Sequence, residues 1–460
     1  MGLVFIARRK KDSKLYALKT FRGWEQEREA LIKDTALFRK ESLVWITLGK
    51  HRNIVQACWF DLDGHYRPFL IMEYVEGSLK GVTLEDYIKS SGKIGFLQGI
   101  RFTLETLNGL IYAQRTINKD LAIPFIHRDI KPANLLITKD GILKVTDFGL
   151  VMCHGGTPLY KAPEQEEGKG VEEKTDVYAL GWVLYEMLTG HLRNREIKAI
   201  DEVPAELNRI IERCLAKSPD GRPNFVELQD ELQTIYLEQT GKTFPLYGDT
   251  EPLSAEDLNG RGSGFAQLGY HEKALECYNV AITLDSNDPR YYLNRGNAYL
   301  SLKKIGEAIG DYQKAISLDP ECVEAYLGLG NLLIQQGEYK KALKCFDEGK
   351  KVSPREEPML YVSIGSFYAW QKHYDNAEKY FRKALSIRSD LAEAYLGLGN
   401  TYLCQKDYER AEINYQKAIK LNLLYRDAYL NLARLYQLMG CPREREDTLK
   451  ILDDLINCIL

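Results

Sequence analysis

The sequence predicts a multidomain protein, with an α+β unit followed by an all-α unit of repeated helix pairs. Over the first 236 residues there is no fixed repeat, and runs rich in β-forming residues alternate with helical stretches. From residue 255 onward a glycine recurs in a similar context about every 34 residues. Between them, residues 237–254 carry Gly, Pro and Thr without a period, and we predict a linker there.

The composition is that of an ordinary globular protein, with 45% hydrophobic and 28% charged residues. The net charge of −3 gives no overall basic field, so nucleic acid is not an expected partner. We find no apolar run of about 18 residues or more and predict no membrane span. The nine cysteines include no C-x-x-C pair, which favours reduced thiols and a cytoplasmic location.

The first unit contains several short motifs whose order along the chain is informative. After YALK at 16–19 come HRDIKPAN at 127–134, DFG at 147–149 and APE at 162–164. Each tripeptide alone is weak, but the ordered set matches the protein-kinase signature. Residues 1–236 therefore resemble a eukaryotic-type serine/threonine protein kinase, which implies a bilobal kinase fold.

The resemblance implies how ATP and Mg²⁺ would be held. Lys19, on the predicted strand LYALKT, would hold the α- and β-phosphates, and Glu41 would fix that lysine by an ion pair. Asp147 and Asn134 would bind Mg²⁺, because carboxylate and carboxamide oxygens suit this hard cation. Phosphoryl transfer depends mainly on positioning and charge neutralisation of this kind.

The same resemblance implies the residues that would act on the substrate. Asp129 would accept the proton of the incoming hydroxyl, and Lys131 would neutralise the transferred phosphate. Thr157 would bond both of them, and this combination favours serine/threonine over tyrosine substrates. Asp176 is expected to anchor the HRD loop, and Arg222 to pair with Glu164, the alternative being ordinary surface charges.

An adenine pocket is implied around the run FLIMEYVEG. Met72 would stand beside the ring, and the backbone from Glu73 to Val75 would hydrogen-bond it. The ring would lie between the side chains of Val4, Ala17 and Leu136. For these apolar positions, simple packing in the hydrophobic core is nearly as good an interpretation as contact with adenine.

The first unit departs from the family pattern in two places. Residues 1–4 align only with the last glycine and the valine of the family's glycine-rich loop, so we expect an N-terminal truncation there or a missing edge strand, which puts activity in doubt. Between DFG and Thr157 there is no Ser, Thr or Tyr. We therefore hypothesise that activity needs no phosphorylation in that stretch, and that Cys153 is an inert thiol.

The repeats in the second unit have small and aromatic residues at fixed offsets. The recurring glycines are Gly262, Gly296, Gly330, Gly365 and Gly399, and an alanine follows each of them after 12 residues. This pattern resembles the tetratricopeptide repeat (TPR), with five clear copies over 255–459 and a degenerate sixth from Arg426. The resemblance implies an α-solenoid with a groove for a protein or peptide, and an ordinary helical bundle is a much poorer interpretation.

Together these patterns predict an ATP- and Mg²⁺-dependent serine/threonine protein kinase that acts on protein substrates. Its repeats would recruit substrates or regulators. Two alternatives remain open at this point, a catalytically inactive kinase-like scaffold and a switch that binds ATP without turnover.

Overall fold

The computed structural model describes residues 2–10, 12–21, 28–62, 67–148, 157–191, 197–246, 252–352, 358–423 and 425–459. Their side chains are described except at 2, 28–33 and 454–459. The predicted fold class is confirmed, because a two-lobed α+β domain is followed by an all-α solenoid.

Among the described residues, the small lobe is a four-stranded antiparallel sheet with one long helix. Its elements are β1 (Gly2–Arg8), β2 (Leu15–Phe21), α1 (Arg28–Leu48), β3 (Ala57–Leu62) and β4 (Pro68–Glu73). The strand order is β1-β2-β4-β3, and Ala17 lies opposite Met72 on adjacent strands. In this part of the chain β1 is an edge strand, and Val4, Phe5 and Ile6 are 50% to 64% exposed on it.

The large lobe is mainly helical and is organised around one buried helix. Its elements are α2 (Leu84–Ser91), α3 (Phe96–Asp120), β5 (Leu135–Ile137), β6 (Leu143–Val145), α4 (Pro163–Glu166), α5 (Glu173–Thr189), α6 (Ala205–Cys214) and α7 (Phe225–Thr240). Every residue of α5 from Thr175 to Tyr185 is buried. A helix that is buried all round lies at the centre of its domain, which makes α5 a rigid support for Asp176.

A buried ion pair joins three segments of the large lobe. The Arg222 guanidinium donates to both carboxylate oxygens of Glu164, at 2.7 and 2.9 Å. It also donates to the carbonyl groups of Ala216, Lys174 and Lys217. The predicted Arg222–Glu164 pair is therefore present. The surface-charge alternative is excluded, since the Arg222 side chain is 0% exposed.

In the described residues the second unit consists of six consecutive helix pairs. They are α8 (Ala255–Gln267), α9 (His271–Leu284), α10 (Pro289–Ser301), α11 (Ile305–Leu318), α12 (Val323–Gln335), α13 (Tyr339–Val352), α14 (Pro358–Trp370), α15 (Tyr374–Ile387), α16 (Ala392–Cys404), α17 (Tyr408–Leu421), α18 (Arg426–Met439) and α19 (Pro442–Ile459). The first helix starts at a capping box in which Ser254 and Asp257 bond each other's backbone N–H.

Glycines on the first helix of each repeat leave room for aromatic side chains of neighbouring helices. A Cβ added to Gly296 would lie 2.9 Å from the ring of Tyr312, and one added to Gly328, in the next repeat, would lie 2.6 Å from the same ring. Gly365 and Gly397 share the ring of Phe381 in the same way. Each aromatic side chain therefore packs within its own repeat and against the next one, which joins neighbouring repeats into one solenoid.

The start of the solenoid packs against the small lobe. Helix α8 lies against β3 and α1. The hydrophobic core of the two lobes continues into the solenoid through Phe265, Leu268 and Tyr278. The two units thus share one core and are not merely tethered.

The predicted linker, 237–254, needs a correction at its N-terminal end. Helix α7 continues to Thr240 and ends where Gly241 adopts a left-handed φ of 67°. Phe244 is buried and exchanges two backbone hydrogen bonds with the side chain of Gln233. The connecting segment therefore begins at residue 241, and its first part docks on α7.

Seven of the nine cysteines have side chains that the structure describes. The described cysteines are Cys58, Cys214, Cys277, Cys322, Cys345, Cys404 and Cys441, and none of these is in a disulfide. Within the described ranges, no helix is long and apolar enough to cross a bilayer.

Replacing Arg222 by Met should leave Glu164 buried without its cation. We expect the free energy of unfolding to fall by about 3–5 kcal/mol, measured by urea unfolding of the full chain. The matched control is Arg209→Met, because Arg209 is 72% exposed and lies 3.7 Å from Glu206. That change should cost less than about 0.5 kcal/mol. Equally small losses in both variants would contradict a structural role for the buried pair.

Candidate active site

The candidate site contains an ion pair between the sheet and the long helix of the small lobe. Lys19, on β2, forms an ion pair with Glu41, on α1, and the two side chains are 9% and 10% exposed. The Lys19 ammonium also lies 2.6 Å from Oδ1 of Asp147, whose side chain is 42% exposed. The predicted Lys19–Glu41 contact is present, and an accessible carboxylate from the large lobe adjoins it.

Lys19 and Asp147 stabilise each other's charged form. Burial alone would lower the pKa of Lys19, but the carboxylates of Glu41 and Asp147 outweigh burial and raise that pKa above its ordinary value. Burial would raise the pKa of Asp147, but Lys19 outweighs it and holds that pKa below its usual range. Near neutral pH this site therefore presents a cation and an anion side by side.

A group of rings connects α1 to the HRD loop. Phe148 is fully buried, and its ring centroid lies 5.4 Å from that of Trp45 and 5.1 Å from that of His127. Trp45 follows Glu41 by four residues, so both side chains lie on the same face of α1. Trp45 was not among the predicted site residues, and its spacing from Glu41 was the signal that pointed to it.

The HRD loop is anchored by Asp176 of α5. The backbone N–H groups of His127 and Arg128 donate to its two carboxylate oxygens, at 2.6 and 2.7 Å. Arg128 and Asp147 both adopt a left-handed φ, of 67° and 66°, which costs a non-glycine residue on the order of 1–3 kcal/mol. The contacts predicted for Asp176 are therefore present, and they hold a strained loop in place. Burial raises the pKa of Asp176 to about 7.

Asp129 lies at the centre of a hydrogen-bonded cluster and is 9% exposed. Its Oδ2 accepts hydrogen bonds from Lys131 Nζ at 2.6 Å and from Asn134 Nδ2 at 3.0 Å. Its Oδ1 accepts from the N–H and the hydroxyl of Thr157, at 3.0 and 2.9 Å. Lys131 Nζ also donates to the Thr157 hydroxyl oxygen at 2.8 Å. The structure thus brings these four residues into direct contact.

The residues predicted around an adenine ring differ in exposure. Met72 and Val75 are buried in the core that both lobes share, and Ala17 and Leu136 pack against that core. Val4 lies opposite Lys19 on the neighbouring strand and is 59% exposed. The predicted adenine pocket therefore has buried apolar residues on its inner side and one exposed apolar residue on β1.

The Glu73 side chain has a role that the sequence did not indicate. Its carboxylate accepts hydrogen bonds from the Gln56 N–H at 2.8 Å and from Lys144 Nζ at 2.7 Å. Since Lys144 is on β6, this carboxylate ties the end of β4 to the large lobe. The backbone N–H of Glu73 in turn donates to the carbonyl oxygen of Gln56 at 2.9 Å.

Two expectations fall on residues that the structure does not describe. The last residue of DFG, Gly149, and the stretch 150–156 lie outside the described residues, and so does Cys153. The hypothesis about activation-segment phosphorylation therefore stays a prediction.

Comparison with known families agrees with this geometry. The sequence profile of the protein kinase domain matches residues 1–233. Profiles of the tetratricopeptide repeat match residues 262–303, 296–337, 323–356 and 356–424. The chain belongs to the protein kinase family, and TPR repeats follow its kinase domain.

Several relatives are similar to this chain over the kinase half. Serine/threonine-protein kinase A of Synechocystis is 32% identical over 251 residues, 45% of this chain and 47% of that protein. Serine/threonine-protein kinase PksC of Streptomyces coelicolor is 30% identical over 236 residues, 43% of this chain and 40% of that protein. Serine/threonine-protein kinase PknB of Mycolicibacterium smegmatis is 32% identical over 219 residues, 41% of this chain and 33% of that protein. The chain spans less than half the length of each of these relatives.

Replacing Asp176 by Asn should destabilise the large lobe. An amide oxygen can accept one of the two N–H bonds, but the amide NH₂ then faces the other donor. We expect a loss of about 1–3 kcal/mol in the free energy of unfolding, measured by urea titration. Asp201→Asn, at an exposed aspartate, is the control and should change it by less than about 0.5 kcal/mol. A more stable Asp176→Asn chain would contradict the anchoring role.

Proposed function

We propose that this chain is an ATP- and Mg²⁺-dependent protein kinase that phosphorylates serine and threonine residues of protein substrates. The observation that supports this most is the joint presence of two charged clusters. One contains Lys19, Glu41 and Asp147, and the other is centred on Asp129. A nucleotide phosphate at the first and a hydroxyl at the second are the two reactants that phosphoryl transfer requires.

In this proposal the first cluster holds the phosphates of the nucleotide, and the apolar residues around Met72 hold its adenine ring. Lys19 holds the α- and β-phosphates, and Glu41 fixes the lysine against β2. The adenine ring lies between Val4, Ala17 and Leu136, next to Met72. It bonds the backbone between Glu73 and Val75.

The oxygen atoms near Asp147 fit a magnesium ion. Asn134 uses its Nδ2 for the backbone and side chain of Asp129, so its amide oxygen is the atom left for a metal. Mg²⁺ is commonly held by one or two carboxylates together with substrate phosphates. Within the described ranges no group of three or more His, Cys, Asp or Glu side chains is arranged for a metal. When bound, Mg²⁺ would neutralise charge on the phosphate oxygens.

Asp129 is proposed to accept the proton of the substrate hydroxyl. Its carboxylate already accepts four hydrogen bonds, so the hydroxyl must replace one of the donors. Lys131 is the donor with a second proposed role, at the transferred phosphate. Movement of Lys131 toward that phosphate would free Oδ2 of Asp129 for the incoming hydroxyl.

The Thr157 hydroxyl provides a test of this arrangement. Thr157→Val keeps the branched shape and the backbone bond to Asp129 but removes the hydrogen bonds that the hydroxyl makes with Asp129 and Lys131, and Thr157→Ser keeps the hydroxyl. Because hydrogen bonds to charged groups contribute about 1.5–3 kcal/mol, we expect kcat on a serine peptide to fall roughly 10- to 100-fold in the valine variant. The serine variant should stay within about threefold of wild type. Equal rates in the two variants would contradict the proposed role of the hydroxyl.

The repeats are proposed to bind a protein or peptide partner. Asn297, Asn331 and Asn400 directly follow recurring glycines of the repeats and are candidates for partner contact. The side-chain oxygens of Asn297 and Asn400 accept hydrogen bonds from the hydroxyl groups of Tyr312 and Tyr415, at 2.7 and 2.8 Å, which makes these two the weaker candidates. Asn331 stands in the equivalent place and is exposed, and the corresponding aromatic residue there is a phenylalanine. We therefore favour Asn331 for partner contact.

A cytoplasmic location completes the proposal. The described cysteines carry no disulfide, and this supports a reducing compartment. The near-neutral charge balance of the chain favours protein partners over nucleic acid.

The direct test of the function is transfer of labelled phosphate from Mg-ATP to a generic protein substrate by the full chain. Asp147→Asn keeps the size of the side chain but removes its charge, and we expect the rate to fall by about 100-fold or more. Absence of transfer by the wild type would contradict the proposal. Mg-ATP binding without transfer would then favour an ATP-binding switch, and absence of both would favour an inactive scaffold.

A further inference from the structure

The C-terminal half of α1 is buried on every side. Each residue from Glu41 to Leu48 is 9% exposed or less. A helix that packs on one face of a small sheet normally keeps a polar, solvated face on its other side. Here the outer face of α1 is covered by the solenoid, since α8 lies against it.

Two glycines allow α8 to approach the small lobe closely. A Cβ on Gly264 would lie 2.6 Å from Cδ1 of Ile46, on α1, and 3.3 Å from the backbone nitrogen of Phe60, on β3. A Cβ on Gly260 would lie 2.9 Å from the carbonyl oxygen of Cys58. Because the two glycines are four residues apart, they lie on one face of α8. That face packs closely against β3 and α1.

Arg261 connects α8 to the C-terminal end of α1. Its guanidinium donates a 2.7 Å hydrogen bond to the carbonyl oxygen of Thr47. Thr47 is in the last turn of α1, where the carbonyl groups have no partner within the helix and where a positive charge is favourable. In the opposite direction, Arg39 of α1 donates to the carbonyl oxygen of Gln267, also at 2.7 Å.

These contacts are on the same helix as the active-site residues. Glu41 and Trp45 contact Lys19 and Phe148, and the next residue, Ile46, contacts the solenoid. Helix α19, at the other end of the solenoid, also lies against α1. A rigid rotation of α1 away from the solenoid would therefore displace Glu41 and Trp45 as well.

We infer that Arg261, on the first TPR helix, is a positioning residue of the kinase site. By bonding the end of α1, it holds this helix where Glu41 reaches Lys19. The inference rests on the proposed function, and it gives the first repeat a role beyond partner binding. The solenoid then supports activity, and a partner that pulls α8 away from α1 lowers phosphate transfer.

The first experiment compares three full-length variants in the phosphate-transfer assay. Arg261→Ala should lower kcat/KM for ATP on the order of tenfold, the size of a typical coupling between sites. Arg261→Lys keeps a donor and a positive charge and should recover most of that loss. The control is Arg382→Ala, because Arg382 is 62% exposed and pairs with Glu378 within α15. It should stay within about twofold of wild type. Equal or higher activity of Arg261→Ala would overturn the inference.

A double-mutant cycle separates positioning from general destabilisation. If Arg261 acts through the Glu41–Lys19 pair, Arg261→Ala should cost less than about twofold in a chain that already carries Glu41→Gln. The same loss in both backgrounds would show an independent, structural effect and would overturn the inference.

Hydrogen exchange tests the inference without relying on catalysis. In Arg261→Ala the backbone amides of residues 38–48 should exchange faster, while those of α15 and α16 should not change. Unchanged exchange in α1 would overturn the inference. If the wild type transfers no phosphate but α1 loses protection in the variant, the proposed function is wrong. The conclusion that Arg261 holds α1 in position is then still supported.

Discussion

The Lys19–Glu41 ion pair is the interaction on which the rest of the site depends. It joins β2 to α1, and it forms only when both elements are correctly oriented. A buried ion pair contributes little net stability, because removing two charges from water offsets most of their attraction. Its contribution is therefore one of position, since it fixes the ammonium group 2.6 Å from Asp147.

The two lobes achieve their geometry by different physical means. In the large lobe, the buried helix α5 supplies Asp176, whose two hydrogen bonds hold Arg128 in an unfavourable backbone conformation. In the small lobe, α1 is held between the sheet and the first repeat. The ring of Phe148 contacts Trp45 on one side and His127 on the other, and so connects the two arrangements.

The sequence predicted those features whose determinants are contiguous or periodic. The HRD and DFG motifs are short local strings, and the glycine and aromatic positions of the repeats recur at fixed offsets. The ring contact of Trp45 and the packing of α8 on α1 could not be predicted from local or periodic patterns. The first joins residues about 100 positions apart in the chain, and the second joins residues about 200 positions apart. The carboxylate of Glu73 is a similar case, since its partner Lys144 lies in another lobe. The predicted linker began at residue 237, whereas α7 continues to Thr240, because a loss of periodicity does not mark the last residue of a helix.

The most direct test of the central claim is a calorimetric titration of the full chain with ATP in the presence of Mg²⁺, compared with Lys19→Met. The methionine variant removes the charge that joins Glu41 to Asp147 but keeps an unbranched side chain. We expect one binding site in the wild type and an affinity lower by about tenfold or more in the variant, since bonds between cations and phosphate are among the strong ones. Equal affinities would contradict the claim that this ion pair belongs to a nucleotide site.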